Sequence, residues 1–335
     1  MNSIPALLAT LHECHRQLAE YGARLHRDYD FGTEGAHFTH LDTEKSRTDD
    51  SISVEVRSAL QTNPESFLTN DYYIALRLRI SPREARVESS VAAYLDVAVN
   101  AYGPDSHVLH ERRTDCRDLD EALRAASEHV SALQHIEDYP KTLGLPLRRQ
   151  GLAPTARPVP AHAPLAADRV GMERAGGEGS TGLAEATAFL TALHQCAFDL
   201  DECHLYVEFS DTSKPVTGRT WMQTRRSGDS YCVEVTSRRE IGLQPGPDPD
   251  VDFGPVRNAS CLRMSLWFSP RDACVESSVE AHLDEAVGPH APGIHVFHDN
   301  RSENLDFEGA LRAAREHLLA IYPVNYPPTL RIDLR

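Results

Sequence analysis

The feature that most constrains this chain is that it contains itself twice. Residues 81–99 read SPREARVESSVAAYLDVAV and residues 269–287 read SPRDACVESSVEAHLDEAV, with fourteen of nineteen positions matching and no gap. At the same offset His107-Val108-Leu109-His110 matches His295-Val296-Phe297-His298, and Ala122-Leu123-Arg124-Ala125-Ala126 matches Ala310-Leu311-Arg312-Ala313-Ala314. Upstream, Leu8, Leu11, His12, Cys14 and Leu18 align with Leu190, Leu193, His194, Cys196 and Leu200. A repeat of this extent predicts a tandem duplication, two similar units related by pseudo-symmetry. The expected boundaries are 1–148 for the first unit, 149–182 for a Pro/Ala/Gly-rich linker and 183–335 for the second unit.

Periodicity predicts the elements within a unit. Leu7, Leu8, Leu11 and Leu18 fall on one helical stripe beside Cys14, and the second unit repeats it at 183–200. Alternation predicts strands over 51–57, with Ile52, Val54 and Val56 inward, and over 73–80, with Leu76, Leu78 and Ile80 inward and Arg77 and Arg79 outward. In the second unit HLYVEFSD and TGRTWMQTR read as a hairpin turning at Ser213-Lys214-Pro215, with a weaker counterpart at 26–41. The duplicated block reads as a helix. Ser81-Pro82 and Ser269-Pro270 supply an N-cap and first-turn proline, and Val87, Val91, Leu95 and Ala98 form a stripe. A strand at 106–112, a helix from Asp118 with Glu121 completing a capping box, and a last strand through Leu143, Leu145 and Leu147 follow. The predicted class is α+β, a duplicated α-β-β-β-β-α-β-α-β unit with a largely antiparallel sheet.

Charge narrows the partners. The chain carries 34 basic and 50 acidic residues, a net −16, and the acid surplus lies in both units rather than in the linker. Such a field disfavours nucleic acid and anionic membrane and favours a basic protein partner. Charged residues interrupt the N-terminal apolar positions, and no stretch approaches the roughly eighteen apolar residues of a membrane span, so no membrane partner is expected. The seven cysteines form no C-x-x-C pair and are odd in number, which suits reduced thiols and a cytoplasmic location.

Chemistry-bearing motifs are scarce. Gly177–Gly182 lacks the Gly-Lys-Ser/Thr ending of a phosphate loop. The run Asp248-Pro249-Asp250-Val251-Asp252 begins like a calcium loop, but Phe253 stands where glycine is needed. His107 and His110, three apart on a strand, are expected on opposite faces, and H-E-x-x-H is absent, so no metal, cofactor or catalytic residue is assigned.

Two features suggest binding. On the helical reading Glu84, Glu88 and Asp96 form an acidic ridge that the second unit completes as Asp272, Glu276, Glu280 and Asp284. Ala85, Ser89 and Ala93, with Ala273, Ser277 and Ala281, form a stripe of small residues for close packing. Trp267 takes the outward strand position that Arg79 holds in the first unit, a large aromatic on an outward face. Its charge, its size and the lack of enzymatic motifs make the chain resemble bacterial immunity proteins, which neutralise a cognate toxin. The resemblance implies a non-enzymatic toxin inhibitor working by direct protein–protein interaction. Two alternatives are an enzyme with a site between the units, using His107, His295 and the ridge carboxylates, and an acidic secretion chaperone.

Overall fold

Successive hairpins build one large sheet. The computed structural model describes residues 3–29, 36–62, 70–99, 102–133, 136, 178–208, 216–242, 257–269, 271–283 and 291–321. The first half runs α1 (Ser3–Asp28), β1 (Ala36–Lys45), β2 (Ile52–Thr62), β3 (Asn70–Ile80), β4 (Ala85–Leu95), β5 (Asp105–Cys116) and α2 (Leu119–Leu133). The second runs α3 (Glu178–Glu208), β6 (Val216–Ser227), β7 (Ser230–Gly242), β8 (Arg257–Phe268), β9 (Ala273–Leu283), β10 (Gly293–Leu305) and α4 (Phe307–Ile321). The same order of elements occurs in both halves. The ten strands join in the order β10-β9-β8-β7-β6-β1-β2-β3-β4-β5, and every neighbouring pair is antiparallel. The architecture is α+β.

The duplicated block is not helical. Residues 85–95 and 273–283 are strands, buried at every odd position: Ala85, Val87, Ser89, Val91, Ala93 and Leu95, then Ala273, Val275, Ser277, Val279, Ala281 and Leu283. The expected valine stripe and the expected small stripe are therefore one face of a strand. A spacing of four satisfies both a helix and a strand, because four is twice the strand period. Paired against β3 and β5, the β-branched valines favour the strand. Ser81 caps no helix. Its amide and hydroxyl close the β3–β4 turn onto the carbonyl of Glu84, and Ser269 does the same with Asp272.

Two other expectations shift. Residues 204–208, read as a strand, are the last turns of α3, and 178–182, assigned to the linker, are its first turn. The β6–β7 hairpin turns at Gly228-Asp229 instead, where Gly228 takes φ +59, a conformation glycine adopts without steric cost. The proposed last strand at 143–147 and the acidic run at 248–252 lie outside the described residues.

The four described helices cover one face of the sheet. The predicted inward residues are buried there: Leu7, Leu8, Leu11, Cys14 and Leu18 from α1, Val54 and Val56 from β2, Leu119, Ala122, Leu123, Ala126 and Val130 from α2, and Met264, Leu266 and Phe268 from β8. One hydrophobic cluster runs through both halves. At α2 the carboxylate of Asp118 accepts from the Glu121 amide at 2.8 Å, and Glu121 accepts from the Arg117 amide at 2.9 Å. The capping box forms, with its return bond one residue earlier than expected.

The halves meet at β1 and β6, joined through the pair Leu41–Met222. Helices reach across this seam. His12 of α1 pairs its Nδ1 with the Thr224 hydroxyl at 3.2 Å, and His194 of α3 pairs its Nδ1 with the Thr43 hydroxyl at 3.2 Å. These are the two histidines that the repeat aligns, so the contact is reciprocal, as in an isologous interface. On the first half α1 approaches the sheet closely at Gly22. A Cβ there would clash with Ser58 Oγ and His37 Nε2. Gly22→Ala should therefore cost about 1–3 kcal/mol of unfolding free energy, as overpacking does. Urea unfolding checks this, and a variant as stable as the parent would show that the helix moves aside freely.

Candidate binding face and its paired clefts

The face of the sheet opposite the helices is a lattice of charge. In the first half Glu55 accepts from Arg57 at 2.7 Å and from Arg77 at 2.8 Å, and Arg77 also lies 3.7 Å from Glu44. In the second half Glu234 pairs with Arg225 at 3.0 Å and lies 3.7 Å from Arg263, which reaches Glu280 at 3.6 Å. Alternation along each strand places these groups in rows, so that unlike charges meet across neighbouring strands. Glu234 is only 3% exposed although it lies on the face away from the described helices.

The expected acidic residues lie on this face or at its turns, but not as a ridge. Glu276 and Glu280 occupy β9, Glu88 occupies β4, and Glu84 and Asp272 sit in the turns before them. From Asp272 to Glu280 a helix would cover about 12 Å, whereas a strand covers about 27 Å. Residues four apart on a strand are about 13 Å from each other, so the expected repulsion within the row is weak. Most of these carboxylates have partners. Glu88 is 3.8 Å from Arg86, Glu276 is 3.1 Å from Arg301, and Glu280 holds Arg263 and His282. Asp96 follows the end of β4, where its amide donates to Asn70 at 3.0 Å. Asp284 lies outside the described residues.

Two clefts open where the hairpin turns meet this face, and they are equivalents. The first, about 610 Å³, is lined by Asp49, Arg79, Arg83, Glu84, Arg86 and Asp115. The second, about 470 Å³, is lined by Trp267, Asp272, Cys274, Glu276, Arg301 and Glu303. The repeat aligns Arg79 with Trp267, Glu84 with Asp272, Arg86 with Cys274 and Asp115 with Glu303. In the first cleft the guanidinium groups of Arg79 and Arg86 are paired within the chain. Arg86 donates to Asp115 at 2.7 Å, and Arg79 donates to Ser51 at 2.8 Å while pairing with Asp49. In the second cleft neither arginine is present. Trp267 is outward as expected and half-buried, and its indole N–H donates to Glu276 at 3.1 Å. Glu276 and Glu303 share one guanidinium there, that of Arg301. Asp272 is in no ion pair among the described residues and accepts only from Ser269.

The perturbed ionisable groups of this face are held away from neutral titration. Hydrogen bonds from the Ser51 hydroxyl and amide, then Ser46 and Arg79, pull Asp49 down to about 2. The bond from Arg86 lowers Asp115. Burial pushes Glu280 up, but His282, Arg263 and Ser278 together outweigh it and hold it down. Burial raises the Cys274 thiol.

The histidines sort differently from expectation. A bulge at Leu109 lets His107 oppose Ala93 and His110 oppose Val91, both inward residues, so the two share a face despite their spacing. Among the described residues there is no cluster of three or more potential metal ligands. His107 and His295 do not meet between the halves. They lie on β5 and β10, the two outer strands, nine steps of about 4.8 Å apart, or roughly 43 Å.

The repeat also aligns His129 with His317, a recurrence from which sequence reasoning did not foresee a buried pair. His129 of α2 is fully buried, with Nδ1 3.0 Å from the Ser89 hydroxyl and Nε2 2.9 Å from the Thr114 hydroxyl. His317 of α4 repeats this with Ser277 at 3.0 Å and Ser302 at 2.9 Å. The repeat aligns both the serines and the histidines, and that joint recurrence was the available signal. Arg86, Asp115, Cys274 and Glu303 were also passed over. Aligning outward strand positions, as was done for Arg79 and Trp267, would have found them.

No protein-family model matches the chain, and no curated protein matches it. No described helix is long and apolar enough to cross a membrane.

Proposed function

We propose that this chain is an acidic protein-binding module that docks a basic partner on the open face of its sheet, as an immunity protein docks its cognate toxin. On this reading the halves descend from a tandem duplication, the partner surface has specialised in the second half, and the protein acts in the cytoplasm. The observation that carries it is the second cleft, where an indole stands beside a surplus of carboxylate. A half-buried tryptophan flanked by charge is the usual composition of an interface hot spot. The titration behaviour of the face also favours binding over acid–base chemistry. A general acid or base works best near the operating pH, whereas Asp49, Asp115 and Glu280 are all displaced toward permanent charge. The six cysteines whose side chains are described are free, in keeping with a reducing compartment.

The test begins with the neighbouring gene. A toxin-like product encoded beside this chain should bind it as a purified protein and lose toxicity when the two are co-expressed. Its association rate should fall as salt rises from low to physiological, because screening shortens the reach of the acidic field. Trp267→Ala should cost about 2 kcal/mol or more of that affinity, the hot-spot threshold, whereas Arg79→Ala should matter less. Neighbouring products that neither bind nor are neutralised would overturn the reading.

A further inference from the structure

The geometry points to the side chain that the second cleft takes: an arginine of the partner, seated where the first half seats its own Arg86. This rests on the proposed binding role and names the chemistry of its site. The first half is the template. There Asp115 accepts from the Arg86 guanidinium at 2.7 Å and from Arg113 at 3.2 Å, so one carboxylate serves two guanidinium groups. In the second half Glu303 replaces Asp115, and Arg301, which replaces Arg113, pairs with it. The other guanidinium is missing, because Cys274 stands where Arg86 would be. Cys274 brings no cation to the cleft, and Glu303 keeps accepting capacity on a side chain 52% exposed. A carboxylate holds two oxygens and about four acceptor sites, enough for a second fork.

The indole completes the argument for arginine over lysine. Trp267 replaces Arg79 on the cleft wall, so a cationic wall in the first half becomes an aromatic one in the second. A planar guanidinium stacks on an indole and meets carboxylates as a fork, while an ammonium does neither as well. Asp272, without a cation of its own, faces the same cleft from the turn.

The probe is acetyl-arginine-methylamide, followed by the indole N–H resonance of Trp267 in the full chain and assigned with Trp267→Phe. Saturable movement of that resonance is expected, with the lysine analogue binding about three- to fivefold more weakly and the uncharged citrulline analogue producing no saturable shift. Cys274→Arg restores the first half's own ion pair and should abolish the response. Glu303→Gln, a surface change that leaves the framework alone, should weaken it about threefold. Circular dichroism establishes that each variant is folded, and if Cys274→Arg does not fold, Glu303→Gln decides alone. Equal shifts with citrulline, or an undiminished response in both folded variants, would overturn the assignment. If the arginine probe fails while a basic partner still binds in a salt-dependent way, only the cleft assignment falls. If no basic partner binds either, the binding role falls with it.

Discussion

Replacing Phe189 by alanine is expected to remove about 3–5 kcal/mol of unfolding free energy, the usual loss for a large aromatic in a sealed core. Phe189 lies on α3 with no exposed surface, and its ring meets Phe268 of β8 edge-on at a centroid distance of 5.3 Å. Phe268 in turn approaches Phe307 of α4 at 6.4 Å, so one ring ties helix, sheet and second helix together. Collapse around the void is limited because the rigid Phe268 ring lines it. Urea unfolding should show a lower midpoint with an unchanged slope, the signature of lost stability rather than a changed unfolded state. A slope that falls together with the midpoint would show instead that the halves unfold separately.

Acid should destabilise both halves over the same range. Burial, then the nearby Arg112 and His110 charges, lower His129 from 6.5 to about 4, and His317 shifts in the same direction, chiefly through burial. His12, His15 and His37, also in the layer between helices and sheet, are lowered by burial too. Because the unfolded chain takes up these protons more readily, stability is full above about pH 6.5 and drains away as pH falls toward 4. For His129 alone the span amounts to something on the order of 3 kcal/mol. His129→Leu should flatten the dependence between pH 6.5 and 4. It should also lower stability at pH 7 by about 1–3 kcal/mol, since the Ser89 and Thr114 hydroxyls lose their partner. Unfolding midpoints across that range check both effects, and a variant that kept the parental slope would remove His129 from the account.

The sequence was most legible where periodicity admits one reading. The α1 stripe mixes spacings of one, three and four, which only a helix brings to one side, and its leucines are buried as expected. Alternation through Leu76, Leu78 and Ile80 equally admits only a strand. The duplicated block failed because its strongest apolar positions are four apart, a spacing common to both periods. The serine and alanines between them looked like a separate stripe when they completed an alternation. The serine–proline start strengthened the error, since the same pair that opens a helix also forms a tight turn. The outward position of Trp267 was legible because strand parity survives an error in the neighbouring element. The cleft around it was not, because it joins side chains from β8, β9, β10 and a turn whose pairing no local pattern encodes.

The strand order has a kinetic consequence. From β1 to β5 and from β6 to β10 each strand pairs with the one just before it in the chain, so every ladder closes a short loop. Short loops cost little entropy to close, and chains rich in such local pairings fold fast for their size. The β1–β6 junction alone couples strands remote in the chain, and the duplicated His12 and His194 bridge it only after α1 and α3 have found the opposite half. Two rapid meander collapses should thus precede one slower docking event, and mutations at the seam should register in the later phase.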